Sequence, residues 1–104
     1  MIIRIVQLKF RPDTVDHFLN LFEVKKQQMR NAKGCEHLEL WQDEEYPLTF
    51  FTYAIWKDES SLNQYRYSEF FKSLWAQTRV LFGDFPVSWN LKSKLVVEKH
   101  EQSA

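Results

Sequence analysis

Apolar and polar positions alternate along this chain with two different periods. Residues 2–10 are rich in Ile, Val, Leu and Phe, interrupted by Arg4, Gln7 and Lys9, and predict a strand. Arg11-Pro12-Asp13 then marks a helix start, with Asp13 as the expected N-cap and Asp16 suited to the first-turn dipole. Val15, Phe18, Phe22 and Met29 fall on one helical stripe, while Lys25, Lys26, Gln27, Gln28 and Arg30 supply the wetter surface. Gly34 is the expected C′ residue closing that helix.

From 36 to 42 the period drops to two. Leu38 and Leu40 face one way, and His37, Glu39 and Trp41 the other. Asp43-Glu44-Glu45-Tyr46-Pro47 predicts a hairpin loop, its acids a solvated charge run rather than a calcium or acid–base cluster. The strand that follows, about 48–56, is apolar on both faces. One parity is Phe51, Tyr53 and Ile55; the other is Phe50, Thr52, Ala54 and Trp56. An antiparallel strand usually packs one face and wets the other, so both faces of this one need cover. Asp58 caps a second helix, with Glu59 in its first turn. That helix groups Tyr67, Phe70, Phe71, Leu74, Trp75, Thr78, Leu81 and Phe82 in an arc roughly 140° wide, before Gly83-Asp84-Phe85-Pro86 ends it. A last strand is expected over 87–99, and residues 100–104 read as a frayed tail.

The order β-α-β-β-α-β predicts an α+β, ferredoxin-like fold: one antiparallel sheet in a single domain, 1–99, with two helices on one face. The other sheet face stays bare. A second copy applied through that face gives an isologous homodimer.

Composition narrows the function. Lys plus Arg and Asp plus Glu both number 14, so no net field steers the chain toward nucleic acid or anionic membrane. No apolar run approaches the roughly 20 residues that span a bilayer. The start carries Arg4 and runs into a strand, unlike a signal peptide. One cysteine, Cys35, forms no internal disulfide, and a cytoplasmic location is the expectation. His17, His37 and His100 stand far apart and outside any ligand spacing, so no metal site is expected. With only two glycines, the chain has no Gly-rich phosphate cradle, and no cofactor motif appears. Aromatics, at 16%, are the feature left to explain, and Tyr53, Trp56, Tyr65, Tyr67 and Trp75 crowd into one strand–turn–helix unit. Buried Tyr and Trp usually seek a partner for their polar tip, so this is either a tied-down core or a pocket with polar handles. Tyr67 and Phe71 read first as core. Tyr65 projects to the helix flank beside Lys72 and Arg79.

Several residues together give a family resemblance: the first strand with its Pro12 turn, Gly34-Cys35, and Glu39-Leu40-Trp41. The strongest match is Phe51-x-x-x-Ile55-Trp56-Lys57-Asp58-Glu59-x-x-Leu62 followed by Ser68-x-x-Phe71. The chain resembles the antibiotic biosynthesis monooxygenase superfamily from about residue 1 to residue 97. The resemblance implies a homodimer whose sheets pack into a dimeric α/β barrel, with a pocket between the second helix and the sheet. It also implies a cofactor-independent monooxygenase acting on a small aromatic or quinol-like compound. His37, Tyr65 and Arg79 would be catalytic, and Trp56, Tyr53, Tyr67, Phe71 and Trp75 would bind substrate. Arg79 would hold a developing phenolate, and Trp75 would stack on the ring. The sequence departs from the family where it carries Tyr65 and Phe70 in place of frequent histidines. Trp75 stands where the haem-degrading branch has its iron ligand, and Val6 where that branch needs asparagine. These losses argue against haem degradation. They support the alternative, a non-enzymatic dimeric module that binds a small ligand or serves structurally.

Overall fold

The computed structural model describes residues 1–100. Its elements run β1 (Ile2–Lys9), α1 (Val15–Arg30), β2 (Cys35–Gln42), β3 (Thr49–Trp56), α2 (Glu59–Arg66), α3 (Glu69–Arg79) and β4 (Val87–Leu91). The strands form one antiparallel sheet in the order β2-β3-β1-β4, which is the ferredoxin-like topology. Register places Ile5 between Tyr53 and Trp89, and Val6 between Thr52 and Ser88, so side-chain parity is common across the sheet.

The inner parity meets the helices. Leu8, Phe10, Phe18, Phe50 and Leu81 form one buried cluster, with Phe10 stacked on Phe18 at 4.1 Å between ring centroids. Cys35, Ala54, Trp56 and Leu62 form a second. The core is thus built in two parts, and between them β3 offers only Thr52 and Ala54. Across from these lie Val6 and Arg4 of β1.

The structure corrects several expectations. α1 is entered through Thr14, not Asp13. The Thr14 hydroxyl donates to the Leu81 carbonyl at 2.6 Å and so ties the start of α1 to the end of α3. Asp13 instead accepts from the Arg11 side chain at 3.3 Å. Asn31, not Gly34, caps the end of α1: its N–H donates to the Gln27 carbonyl at 3.0 Å, and the Ala32 N–H donates to the Met29 carbonyl at 3.3 Å. Gly34 opens β2 at φ +85°, with no room for a Cβ beside Ser61.

The expected second helix is two helices. Ser68 Oγ donates to the Tyr65 carbonyl at 2.6 Å and accepts the Phe71 N–H at 3.1 Å. A serine that captures backbone groups on both sides ends one helix and caps the next. The Tyr67 side chain swings to 76% exposure as a result, off the core arc that a continuous helix would give it. Asp58 does cap α2, accepting the Ser61 N–H at 2.8 Å.

β4 is also shorter than the expected 87–99. Leu91 pairs with Ile3 at the beginning of β1, so a longer β4 would run off the end of its neighbour. Residues 92–100 carry no regular structure, and Leu95, Val96 and Val97 are exposed. The expected tail at 100–104 lies outside the described residues but for His100. Among the described residues no helix is long and apolar enough to cross a membrane.

Candidate functional site

The gap between the two core clusters is a cavity of about 360 Å³. β1 contributes Arg4, Val6 and Leu8 to its floor, and β3 contributes Thr52, Ala54 and Trp56. α1 closes one side with Phe18, Leu21, Phe22 and Met29. Tyr65 and Arg66 of α2, with Phe71, Leu74, Trp75 and Thr78 of α3, close the other. The volume lies within the range of small-molecule sites, roughly 300–1,000 Å³. It exists because the sheet's centre carries small side chains where the flanking positions carry large ones.

The aromatic wall is continuous. Tyr65 packs on Trp56 at 5.0 Å and on Phe71 at 5.1 Å, and Phe71 stacks on Trp75 at 6.0 Å with 17° between planes. Phe70 lies behind Tyr65, 6.2 Å from it, and leaves the cavity open. The Tyr65 hydroxyl is buried and has no hydrogen-bond partner among the described residues. Burial, and to a lesser degree the nearby Cys35, raises its pKa well above the usual tyrosine range. Tyr65 is therefore a neutral phenol at physiological pH, able to donate a hydrogen bond but not to act as a base. Burial also raises the Cys35 thiol, which stays protonated.

The sequence-predicted site residues separate into groups. Trp56, Tyr65, Phe71 and Trp75 line the cavity. His37 and Tyr53 have the opposite parity and sit on the outer sheet face. There Tyr53 stacks on Trp41 at 4.6 Å, and Glu39 joins the His37 ring to the Trp41 N–H. Hydrogen bonds from His37 and then Trp41 hold the Glu39 carboxyl below its ordinary range. Tyr67 and Arg79 are exposed and line no part of the cavity. Strand parity sends His37 and Tyr53 outward, and the break at Ser68 turns Tyr67 away. Arg4 and Arg66 were missed as site residues. The signal for Arg4 was present, since it interrupts an apolar strand at an inward position; Arg66 carried none.

No three His, Cys, Asp or Glu side chains are gathered as for a metal among the described residues. Nor does any histidine line the cavity, and Trp75, at the position aligned with the haem branch's iron ligand, has no lone pair to offer. The lining therefore does not fit haem held in that way.

An antiparallel ferredoxin-like sheet with an aromatic cavity beneath its helices defines a class of small α+β domains. The chain belongs to the antibiotic biosynthesis monooxygenase family, whose profile matches residues 1–76. It is similar in fold to a conserved protein from Methanosarcina mazei Go1, with a TM-score of 0.84 and 25% identity over 90% of this chain and 94% of that one. A protein described as an antibiotic biosynthesis monooxygenase superimposes with a TM-score of 0.83 at 20% identity, covering 89% of this chain and 98% of the other. Rv0793 from Mycobacterium tuberculosis gives 0.83 at 16% identity, covering 93% and 98%. No curated protein matches the sequence.

Proposed function

We propose that the protein is a monooxygenase acting on a small phenolic or quinol-like aromatic compound bound in the cavity. The observation that carries this reading is the open, aromatic-walled space of about 360 Å³ in a member of this family. In the proposed reaction a ring C–H ortho or para to a phenolic O–H becomes a carbonyl, the ortho position being the one a 1,4-quinol offers. One atom of O₂ enters that carbonyl and the other leaves as water with the two hydrogens lost, so the substrate supplies all four electrons. The protein's part is to hold the ring, exclude water and donate a hydrogen bond. Trp75 and Phe71 hold the ring between them and Trp56. The Tyr65 hydroxyl, buried in the wall without a partner among the described residues, donates to the substrate oxygen once small movements of the wall admit it.

The acting unit in this reading is a homodimer formed through the outer sheet face. Leu91, Ile3 and Ile55 lie side by side on that face, then Trp89, Ile5 and Tyr53, then Val87, Gln7 and Phe51 beside Trp41. Trp41, Val87, Trp89 and Leu91 are 40–47% exposed in the single chain, a contiguous apolar surface that a second copy would cover. Sedimentation at micromolar concentration tests this, and a monomer refutes it. A cytoplasmic location suits the single unpaired Cys35.

One observation favours a second reading, a ligand-binding module without catalysis: no imidazole or carboxylate among the described residues lines the cavity, so no evident base is at hand. Oxygen uptake with a panel of naphthols, quinols and anthrones separates the two. Uptake above the blank that falls at least tenfold in Trp75→Ala supports the monooxygenase. Binding of the same compounds without uptake supports the module.

A further inference from the structure

The cavity wall is mostly apolar and aromatic, with the hydroxyls of Thr52, Thr78 and Ser88 among it, and the charged side chains that line it are two arginines. Arg4 stands on β1, one of the two central strands of the sheet, with its side chain on the face that meets the helices. Arg66 is in the last turn of α2. Among the described residues neither makes an ion pair and no Asp or Glu lines the cavity. The one fixed partner of Arg4 is neutral: its Nη1 donates to the Asn90 side-chain oxygen at 2.7 Å. That contact fixes the guanidinium and leaves most of its five N–H groups free for another acceptor.

A charged side chain at an inward sheet position is costly unless something answers its charge. Among the described residues the charge that acts on Arg4 has the same sign. Burial first, and then the proximity of Arg66, lowers the pKa of Arg4. The chain as a whole has no net charge, so the positive end of the cavity is a local arrangement and not a share of a basic surface. Planar guanidiniums grip oxyanions through paired, parallel hydrogen bonds. The aromatic wall starts at Tyr65, next to Arg66 in the chain, with Trp56 packed on it, and continues through Phe71 to Trp75.

We infer that the ligand of this cavity is an aromatic oxyanion, a ring bearing a carboxylate or an ionised hydroxyl, with Arg4 and Arg66 binding the charged end and Asn90 positioning Arg4. This rests on the proposed aromatic-binding role of the cavity and adds the substrate's charge and orientation. The ring lies along Phe71 and Trp75, and the oxyanion points toward β1 and β4. Arg79, exposed on α3, takes no part.

The test compares 2-naphthoate with its neutral isostere 2-naphthamide by titration calorimetry at neutral pH, confirmed by quenching of tryptophan fluorescence. The expected result is that naphthoate binds at least about tenfold more tightly, in keeping with hydrogen bonds to charged groups. Arg4→Met keeps the apolar stem and removes the charge, and the expected outcome is that the preference collapses while naphthamide binding stays. Arg66→Gln, on the exposed side, halves the preference or more and keeps the fold if Arg4→Met does not. A nitronaphthol titrated across the ionisation of its hydroxyl supplies the second arm, and tighter binding of its anion identifies an ionised hydroxyl as an acceptable oxyanion. Equal binding of naphthoate and naphthamide, with no gain on ionising the nitronaphthol, overturns the inference and leaves the aromatic-cavity reading standing. A preference that survives both arginine substitutions also overturns it. If neither naphthyl compound binds, the aromatic-cavity reading itself is refuted and the inference falls with it.

Discussion

Replacing Gly34 by alanine places a methyl group 2.3 Å from both Cβ and Oγ of Ser61, at a backbone φ of +85°. Two costs combine. A non-glycine residue in the left-handed region loses about 1–2 kcal/mol. A contact that close forces β2 and α2 apart, an overpacking of about 1–3 kcal/mol. The expected total is about 2–5 kcal/mol. The two parts are separable, because Ser61→Gly removes the obstructing atoms while keeping the Ser61 N–H that Asp58 caps. Glycine there costs the helix roughly 0.5–1 kcal/mol on its own. In the double variant the overpacking vanishes and only the backbone cost remains, so the coupling energy reads the contact itself, about 1–3 kcal/mol. Urea unfolding at fixed protomer concentration, followed by tryptophan fluorescence, measures all four corners of the cycle. Additivity within about 0.5 kcal/mol would refute the close approach of β2 to α2. The contact matters to the site because α2 carries Tyr65 and Arg66 one turn beyond Ser61.

Tyr65→Phe removes a buried hydroxyl that has no partner, so stability at neutral pH is expected to hold within about 0.5 kcal/mol or to rise; a loss above about 1.5 kcal/mol would reveal a hydrogen bond the structure does not contain. The same residue governs alkaline stability. Its pKa is raised in the folded state above the ordinary 10.0, so its contribution is complete below about pH 10 and is lost as the unfolded chain ionises above it. The unfolding free energy of the parent should fall more steeply with pH above 10 than that of Tyr65→Phe, by up to about 1.4 kcal/mol per pH unit, and parallel curves would contradict the assigned burial. Asp58→Ala and Ser68→Ala each remove a helix cap and should each cost about 1 kcal/mol in urea unfolding. Ser68→Ala also tests the helix break: a gain in far-ultraviolet helicity would mean that α2 and α3 fuse when the competing hydroxyl is gone.

Hydrophobic period and turn chemistry carried most of the architecture. The helical stripe of α1, the alternation in β2 and the Asp58 cap follow from residues two to four apart, where local rules are strong. The two-faced character of β3 is equally plain in Phe50 through Trp56. What failed were decisions between neighbouring candidates settled by distant partners. Thr14 displaced Asp13 because Leu81, far along the chain, offered a carbonyl. Gly34 was needed by Ser61 and not by α1. β4 ends where β1 begins, a limit no local pattern records. The site divided in the same way. The aromatic members were legible as a cluster, while the inward placement of Arg4 required the sheet register, and Arg66 required the helix break that ends α2 beside the cavity.

The divided core has a consequence for how this molecule can change. Each cluster is closed by its own contacts, Phe10 with Phe18 on one side and Trp56 with Leu62 on the other. Phe71 belongs to neither buried set, and the floor residue Thr52 is likewise outside both. Substitutions at such positions reshape the space between the clusters without opening a void inside either. Ligand preference can therefore be retuned at Phe71 and Thr52 while the buried sets stay as they are, whereas Phe18 and Trp56, which belong to a cluster and also line the cavity, tie the shape of the space to the stability of the fold.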